Sequence, residues 1–192
     1  MLLPSGLPAD AASFWSTRQN DLIYVEMKGQ VARGDYLKFS REVAQRSPYS
    51  AKRVVLSISS PGGRVDGMWE MIIGIERTQR QLPVQIVVRD RCESACADIF
   101  LAADERYMEP TGLLGFHAAA FHGRELAEDI QRSVAYYRQR GVPQKSAVQF
   151  ATTPHRAMRH VTADQAAQLG IAKTLTRAPS RPASRARHAR RR

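Results

Sequence analysis

Apolar and polar residues alternate along this chain in a pattern that predicts strands and helices in turn. Dense runs of β-branched and other apolar residues predict strands over 21–27, 53–59, 83–88, 106–108 and 113–117. Apolar residues at helical spacing predict helices over 35–45, 65–76, 95–103, 125–139 and 162–169. Such alternation favours parallel βαβ units, and therefore an α/β domain whose sheet is covered by helices.

Local signals set some of the element ends. Asp35 is a plausible N-cap of its helix, Thr162 caps the last helix, and Gly170 closes it. The stripe Val65, Met68, Trp69, Ile72 and Ile73 predicts the buried face of the second helix. Residues 1–20 look irregular, 21–176 form one domain, and 177–192 form a disordered tail.

Composition is that of a soluble globular protein with one substantial core, at 192 residues, 43% hydrophobic and 24% charged. The net charge of +11 is uneven, because seven of the 29 Lys and Arg fall in 177–192, leaving +4 for the rest. A basic tail can bind nucleic acid, acidic lipid or another acidic partner. A solvated tail without a dedicated partner is the alternative.

The beginning of the chain, MLLPSGLPADAASFW, does not resemble a secretory signal, because it has no basic region and its apolar residues are interrupted by Pro and Gly. No apolar run reaches the length of about 18 residues that a membrane span needs. The sequence as written therefore predicts a cytoplasmic protein. A signal peptide upstream of this start would instead make it periplasmic.

Three short segments carry candidate chemistry, and each follows a predicted strand: Ser60-Pro61-Gly62-Gly63, Cys92-Glu93-Ser94-Ala95-Cys96 and Gly115-Phe116-His117. Covalent acyl transfer needs an activated nucleophile, a nearby base and donors for an oxyanion. Ser94 opens a helix, where the next amides are unpaired. The glycines offer bare backbone amides, and the histidine can accept a proton. In parallel sheets such sites form beyond the carboxyl ends of strands.

Each segment alone has a simpler interpretation. A serine before a helix is usually an N-cap, Pro-Gly-Gly is usually a turn, and a single histidine is usually structural. Their occurrence in this order, each after an apolar strand, favours a serine hydrolase.

The order Ser60-Pro61-Gly62-Gly63, helix, strand, Ser94-Ala95 and then His117 resembles the proteolytic subunit of Clp protease, in a divergent bacterial branch. The resemblance covers about residues 22–175. It implies the crotonase-like fold of stacked ββα units, with Ser94 as nucleophile, His117 as base and the amides of Gly63 and Ala95 as oxyanion hole. It also implies a homo-oligomer, with contacts through helix 125–139, and a separate ATPase partner that no feature here identifies. It implies no cofactor and no metal.

One position departs from that family. Alignment on Thr162, Ala166 and Gly170 places Met158 where the family has the aspartate that orients the histidine. Asp164 is the nearest carboxylate, but its place in a first helical turn can also be explained by the helix dipole. The sequence therefore predicts either a Ser-His dyad, a different acid such as Asp164, or low activity. Loss of the orienting acid costs about 10⁴-fold in turnover in a serine protease triad.

Two cysteines and two histidines superficially resemble a zinc pattern, Cys92-x3-Cys96 followed by His117-x4-His122, but a helix and a strand separate the two pairs. A disulfide would require the Cα atoms to lie within about 7 Å, and export would favour it. In a reducing cytoplasm two packed thiols are the expectation.

Three functions remain open on the sequence. The residues favour a peptidase that forms an acyl-enzyme on Ser94. A non-catalytic scaffold or assembly protein would explain Met158. A crotonase-type enzyme acting on an acyl thioester would use the same pair of amides, although nothing marks a coenzyme A site.

Overall fold

The computed structural model describes residues 11–46, 48–121 and 123–175. The strands are β1 (Ser13–Gln19), β2 (Leu22–Lys28), β3 (Arg53–Ser60), β4 (Val84–Glu93), β5 (Glu105–Met108), β6 (Leu113–Phe116), β7 (Ala120–Phe121), β8 (Arg124–Glu125), β9 (Arg159–Thr162) and β10 (Lys173–Thr174). The helices are α1 (Asp35–Ala44), α2 (Val65–Gln79), α3 (Ala95–Leu101), α4 (Ala127–Gln139), α5 (Gln144–Ala151) and α6 (Ala163–Gln168), and a 3-10 turn covers Pro48–Ser50.

One mixed sheet organises these elements. Strands β2, β3, β4, β5 and β10 lie side by side and parallel, while β1 pairs antiparallel with β2. The sheet divides along β4, whose first half pairs with β5 and whose last residues pair with β6. Strand β6 in turn pairs antiparallel with β9. The predicted α/β class is therefore confirmed, and β3, β4 and β6 all end at neighbouring positions.

The strands that lead to these ends are deeply buried. Val54, Leu56 and Ile58 of β3 and Ile86 and Val88 of β4 are almost completely inaccessible to solvent. Full burial of such a side chain contributes roughly 1.5–3 kcal/mol. The ends of β3 and β4 are therefore anchored to a well-packed core.

Within the described ranges no helix is long and apolar enough to cross a bilayer.

The segment 1–20 is not irregular throughout, as β1 occupies Ser13–Gln19. Its sequence SFWSTRQ mixes polar and apolar residues, because one neighbour along the sheet is β2 and the other edge is free of a strand in the described chain. Residues 1–10 and the basic tail 177–192 lie outside the described residues, so the proposed domain boundaries stay predictions.

Two local predictions about helices were wrong. Gly34, with φ of 85°, occupies the N-cap of α1, and Asp35 lies in the first turn, where its carboxylate accepts hydrogen bonds from the amide of Ala32 at 2.7 Å and from Lys38 Nζ at 2.8 Å. In α2, the members Val65, Trp69 and Ile73 of the predicted buried stripe are exposed. By contrast, Thr162 caps α6 as predicted, through a reciprocal capping box with Gln165.

Candidate active site

The glycine turn after β3 packs directly against the serine after β4. A Cβ atom on Gly62 would lie 2.6 Å from Ser94 Cβ and 2.8 Å from the carbonyl oxygen of Glu93. A Cβ atom on Gly63 would lie 2.2 Å from the carbonyl oxygen of Val31. Both glycines have positive φ, at 96° and 149°. Only residues without side chains fit this contact, which explains the Pro-Gly-Gly sequence.

The amide of Gly63 is left available by the way this turn is held. The amide of Val31 donates to the carbonyl of Gly62 at 2.7 Å, and the amide of Arg64 donates to the carbonyl of Val31 at 2.9 Å. The Gly63 amide takes part in neither of these bonds. It has no hydrogen-bond partner among the described residues, as an oxyanion donor requires.

Ser94 occupies the abrupt turn from β4 into α3. The strand continues to Glu93, five residues beyond the predicted end at 88, and the helix begins at Ala95. Ser94 has φ of 55° and ψ of −130°, a conformation that L-residues rarely adopt. Its amide donates to the carbonyl of Gly115 at 2.7 Å. Its side chain makes no capping hydrogen bond, so the interpretation of Ser94 as an ordinary N-cap does not hold.

His117 lies within hydrogen-bond distance of this serine. Its Nε2 atom is 2.8 Å from Ser94 Oγ. Burial lowers the pKa of His117 below its usual value of 6.5, so the ring is neutral at pH 7 and Nε2 can accept the serine proton. The amide of Ala95, the first residue of α3, likewise has no partner among the described residues. The structure thus brings Ser94 and His117 together, with Ala95 next to Ser94 in the chain and Gly63 next to Gly62, which packs on Ser94.

The structure does not bring Asp164 to this group. Asp164 is exposed in the first turn of α6. The Nδ1 atom of His117 is buried and makes no hydrogen bond of normal geometry among the described residues, although an interaction with the backbone of Ala118 raises the pKa of the ring. Met158 lies nearby, since a Cβ atom on Gly115 would be 2.8 Å from its sulfur. A thioether cannot orient an imidazole as a carboxylate does, and the expectation that Asp164 supplies this role is not met.

Two other carboxylates influence His117 from a distance, and each is bonded to a second histidine. Glu125 accepts hydrogen bonds from the amide and ring of His155 at 2.6 and 3.0 Å. Glu93, which is buried, lies 2.9 Å from Nε2 of His160. The backbone of Ala118 is the largest influence that opposes the effect of burial on the pKa of His117, and both carboxylates raise that pKa further. The sequence gives no sign of these pairs, because their members are 30 and 67 residues apart.

A disulfide joins Cys92 and Cys96, whose Cα atoms are 5.1 Å apart. The expectation of two free packed thiols is therefore wrong, because the turn at Ser94 brings α3 back over the end of β4. Both sulfurs are used in this bond, which removes the thiolates that a zinc site would need.

Two cavities lie near the segments that carry the dyad, and neither is lined by Ser94 or His117. One of about 540 Å³ lies between α5 and β9 and is lined in part by Thr153, Met158 and His160. The carbonyl of Thr153 accepts a hydrogen bond of 2.7 Å from the amide of Ala118, next to His117. Another, of about 360 Å³, includes Pro61 and Arg91.

Comparisons with known proteins agree with this geometry. No protein-family model matches the chain. The membrane protein NfeD1b of Bacillus subtilis (strain 168) is 37% identical over 90 residues, which are 47% of this chain and 20% of that protein. This chain therefore matches only about a fifth of the relative's length.

Solved structures match over most of the chain. A membrane protease from Pyrococcus horikoshii, specific for a stomatin homolog, has a TM-score of 0.63 and 22% identity, covering 82% of this chain and 74% of its own. ClpP1 from Listeria monocytogenes has a TM-score of 0.67 and 18% identity, covering 81% and 92%. A methylmalonyl CoA decarboxylase reaches 0.67 at 10% identity, covering 84% and 67%. The chain has the ClpP-like, crotonase-type fold.

The ClpP-like fold explains why the three segments predicted from sequence meet. The turn at Gly62 follows β3, Ser94 follows β4 and His117 follows β6, and these strands are parallel neighbours. Ligand sites in parallel sheets form beyond the carboxyl ends of such strands. The same fold carries proteases and a coenzyme A enzyme, so the reaction must be argued from the side chains.

Proposed function

We propose that this chain is a serine peptidase-like hydrolase that cleaves peptide bonds through an acyl-enzyme on Ser94. The observation that carries the proposal is the 2.8 Å contact between His117 Nε2 and Ser94 Oγ. Solved structures with this fold include ClpP1 and a stomatin-specific membrane protease, which supports hydrolysis of a peptide bond as the reaction.

Each group has a defined role in the proposed reaction. Ser94 Oγ attacks the peptide carbonyl carbon while its proton passes to Nε2 of neutral His117. The amides of Gly63 and Ala95 donate to the oxyanion. The imidazolium then protonates the leaving amine, and the acyl-enzyme forms. His117 then deprotonates a water, which attacks the acyl carbon, and the imidazolium returns the proton to Ser94 Oγ as the acid product leaves.

Covalent labelling by a fluorophosphonate tests the nucleophile. We expect the intact protein to be labelled on Ser94, S94A to be unlabelled, and H117A to react on the order of 10²-fold or more slowly, since a general base contributes 10²–10⁴-fold. Because burial lowers the pKa of His117, the rate should rise through a midpoint below pH 6.5 and be constant at neutral pH. Equal labelling of S94A would contradict the proposal.

A second candidate function is a catalytically weak or inactive scaffold. It is favoured by the buried Nδ1 atom of His117, which makes no hydrogen bond of normal geometry among the described residues, and by Met158. Absence of labelling in a folded protein would support this function over the peptidase.

We also propose that the chain forms a homo-oligomer with itself. The support is an exposed apolar stripe on α2, formed by Val65, Trp69 and Ile73, each between 41% and 46% exposed. Such stripes commonly mark protein contacts. That a separate ATPase acts with this protein, and that the basic tail binds an acidic partner, both stay predictions.

A further inference from the structure

The Cys92–Cys96 disulfide encloses the proposed nucleophile. Cys92 is the penultimate residue of β4, Cys96 is the second residue of α3, and both are fully buried. The three residues between them are Glu93, Ser94 and Ala95. The bond closes a small covalent ring through the backbone of residues 92–96. This ring includes one of the two proposed oxyanion donors, the Ala95 amide, and the attacking hydroxyl of Ser94 is attached to it.

The backbone inside this ring is in a costly conformation. A residue with a side chain at the φ of 55° and ψ of −130° seen for Ser94 costs on the order of 1–3 kcal/mol and persists only where its surroundings impose it. On the strand side, this conformation is held by the hydrogen bond from the Ser94 amide to the carbonyl of Gly115 and by the pairing of Cys92 with Leu114. On the helix side, the amide of Ala97 donates to the carbonyl of Ser94 at 2.8 Å.

Those hydrogen bonds hold each side of the turn separately. The disulfide is the covalent link that ties the first turn of α3 to the end of β4 across Ser94. Loss of this link would release the first turn of α3 from the end of β4, while β4 stays paired with β3 and β6. A shift of about 1 Å in the position of a reacting group can cost on the order of 10²-fold in rate.

We propose that the Cys92–Cys96 disulfide is a positioning element that holds Ser94 and the Ala95 amide in reactive geometry, so that activity depends on oxidation of this pair. The inference rests on the proposed function of Ser94. Because disulfides persist in oxidising compartments, we expect the active form there.

The redox step is an ordinary thiol–disulfide exchange. A dithiol reductant such as dithiothreitol gives two electrons and its two thiol hydrogens to the pair. It leaves as a cyclic disulfide, while Cys92 and Cys96 become thiols. A disulfide oxidant reverses the step.

Fluorophosphonate labelling of the same preparation before and after reduction tests the proposal, with alkylation and intact mass confirming that both thiols have formed. We expect the maximal labelling rate to fall on the order of 10- to 100-fold while the reagent concentration for half-maximal rate stays unchanged. Reoxidation should restore the rate. The variant C92A/C96A should be labelled slowly with or without dithiothreitol. If the buried disulfide resists reduction, this variant shows the labelling rate of the protein without the bond.

An equal labelling rate in the oxidised and fully reduced protein would overturn the proposal. So would global unfolding on reduction, seen as loss of the circular dichroism signal, because the bond would then support the whole fold rather than the turn. A second readout is amide hydrogen exchange, which should accelerate at 94–97 on reduction and remain unchanged in β3. Unchanged exchange at 94–97 would also overturn it.

The two hypotheses fail in different ways. If the oxidised protein is not labelled at all, the proposed function of Ser94 fails. Local exchange at 94–97 then still decides whether the disulfide holds the turn.

Discussion

Gly62 contacts the proposed nucleophile through its bare Cα. Comparing an alanine at this position with an alanine at another glycine of positive φ distinguishes the effect of backbone strain from the effect of a methyl group at the site. In G62A the new methyl group would meet Ser94 Cβ and the Glu93 carbonyl, at φ of 96°. In G34A the φ of 85° is similar, but nothing lies within 4 Å of the new methyl group. An L-residue at positive φ costs about 1–2 kcal/mol.

We therefore expect G34A to lose about 1–2 kcal/mol of unfolding free energy in urea denaturation. G62A should lose more, because its methyl group would also lie 2.6 Å from Ser94 Cβ and 2.8 Å from the Glu93 carbonyl. Only G62A should also react with a fluorophosphonate on the order of 10²-fold more slowly. Similar labelling rates for G62A and G34A would mean that the contact between the glycine turn and Ser94 has no role in reactivity.

The sequence alignment on Thr162, Ala166 and Gly170 predicts that Met158 takes the place of the orienting aspartate, and no carboxylate bonds to the Nδ1 atom of His117 in the described structure. We expect M158D to raise the fluorophosphonate labelling rate, because a carboxylate can hold the ring and stabilise the imidazolium. The gain is bounded by about 10⁴-fold, the cost of losing that acid in a serine protease.

The matched control is M158N, whose side chain has nearly the same shape as that of M158D but carries no charge. It should not exceed the rate of the unmodified protein. If M158D and M158N react equally, either His117 is already oriented by other groups, or this position does not face Nδ1.

At the scale of elements, the sequence predicts what depends on local pattern and fails where tertiary contacts decide. The runs that became β2, β3 and α3 are dense enough in apolar residues to identify. Strands β9 and β10, with four and two residues, are too short to carry a period, and they exist because β6 and β5 offer them open edges.

The same limit applies to the site. Ser94, His117 and the glycine turn could be predicted because each follows a recognisable strand. The disulfide, the two His–Glu pairs and the Nδ1 atom to which no carboxylate bonds in the described structure depend on how distant segments meet, and no local signal records them.

The exposed stripe on α2 supports a prediction about assembly. Trp69 packs edge-to-face on the buried Tyr136 of α4, with ring centroids 5.6 Å apart, so the stripe lies beside α4. We expect I73K to lower the molar mass measured by light scattering, because a charge would be buried in the contact. V148K, at a comparably exposed position on α5, is the control and should leave the mass unchanged. An unchanged molar mass for I73K would mean that this stripe does not form the contact between copies of the chain.

At the scale of the whole molecule, Asp98 links the helix that carries the site to α4. Its carbonyl accepts a hydrogen bond of 2.8 Å from the hydroxyl of Tyr136. One carboxylate oxygen of Asp98 is buried without a hydrogen-bond partner among the described residues. Burial raises the pKa of Asp98 to about 7, and a hydrogen bond from Tyr137 only partly opposes this.

The raised pKa makes the stability of the fold depend on pH in a defined direction. Between the unfolded value of 3.8 and about 7, the folded protein binds more protons at Asp98 than the unfolded chain does. This contribution to stability is therefore complete below pH 3.8 and is lost as the pH rises towards 7. At about 1.4 kcal/mol per pKa unit, the loss is bounded at about 4 kcal/mol.

The variant D98N keeps the shape of the side chain and cannot ionise. We expect its unfolding free energy, relative to that of the unmodified protein, to rise between pH 4 and pH 7 and to be constant above pH 8, as measured by urea denaturation at each pH. D164N, at an exposed position on α6, is the control and should show no such rise. A constant difference for D98N across this range would mean that Asp98 is ionised in the fold at pH 5, and that the unpartnered oxygen reaches solvent.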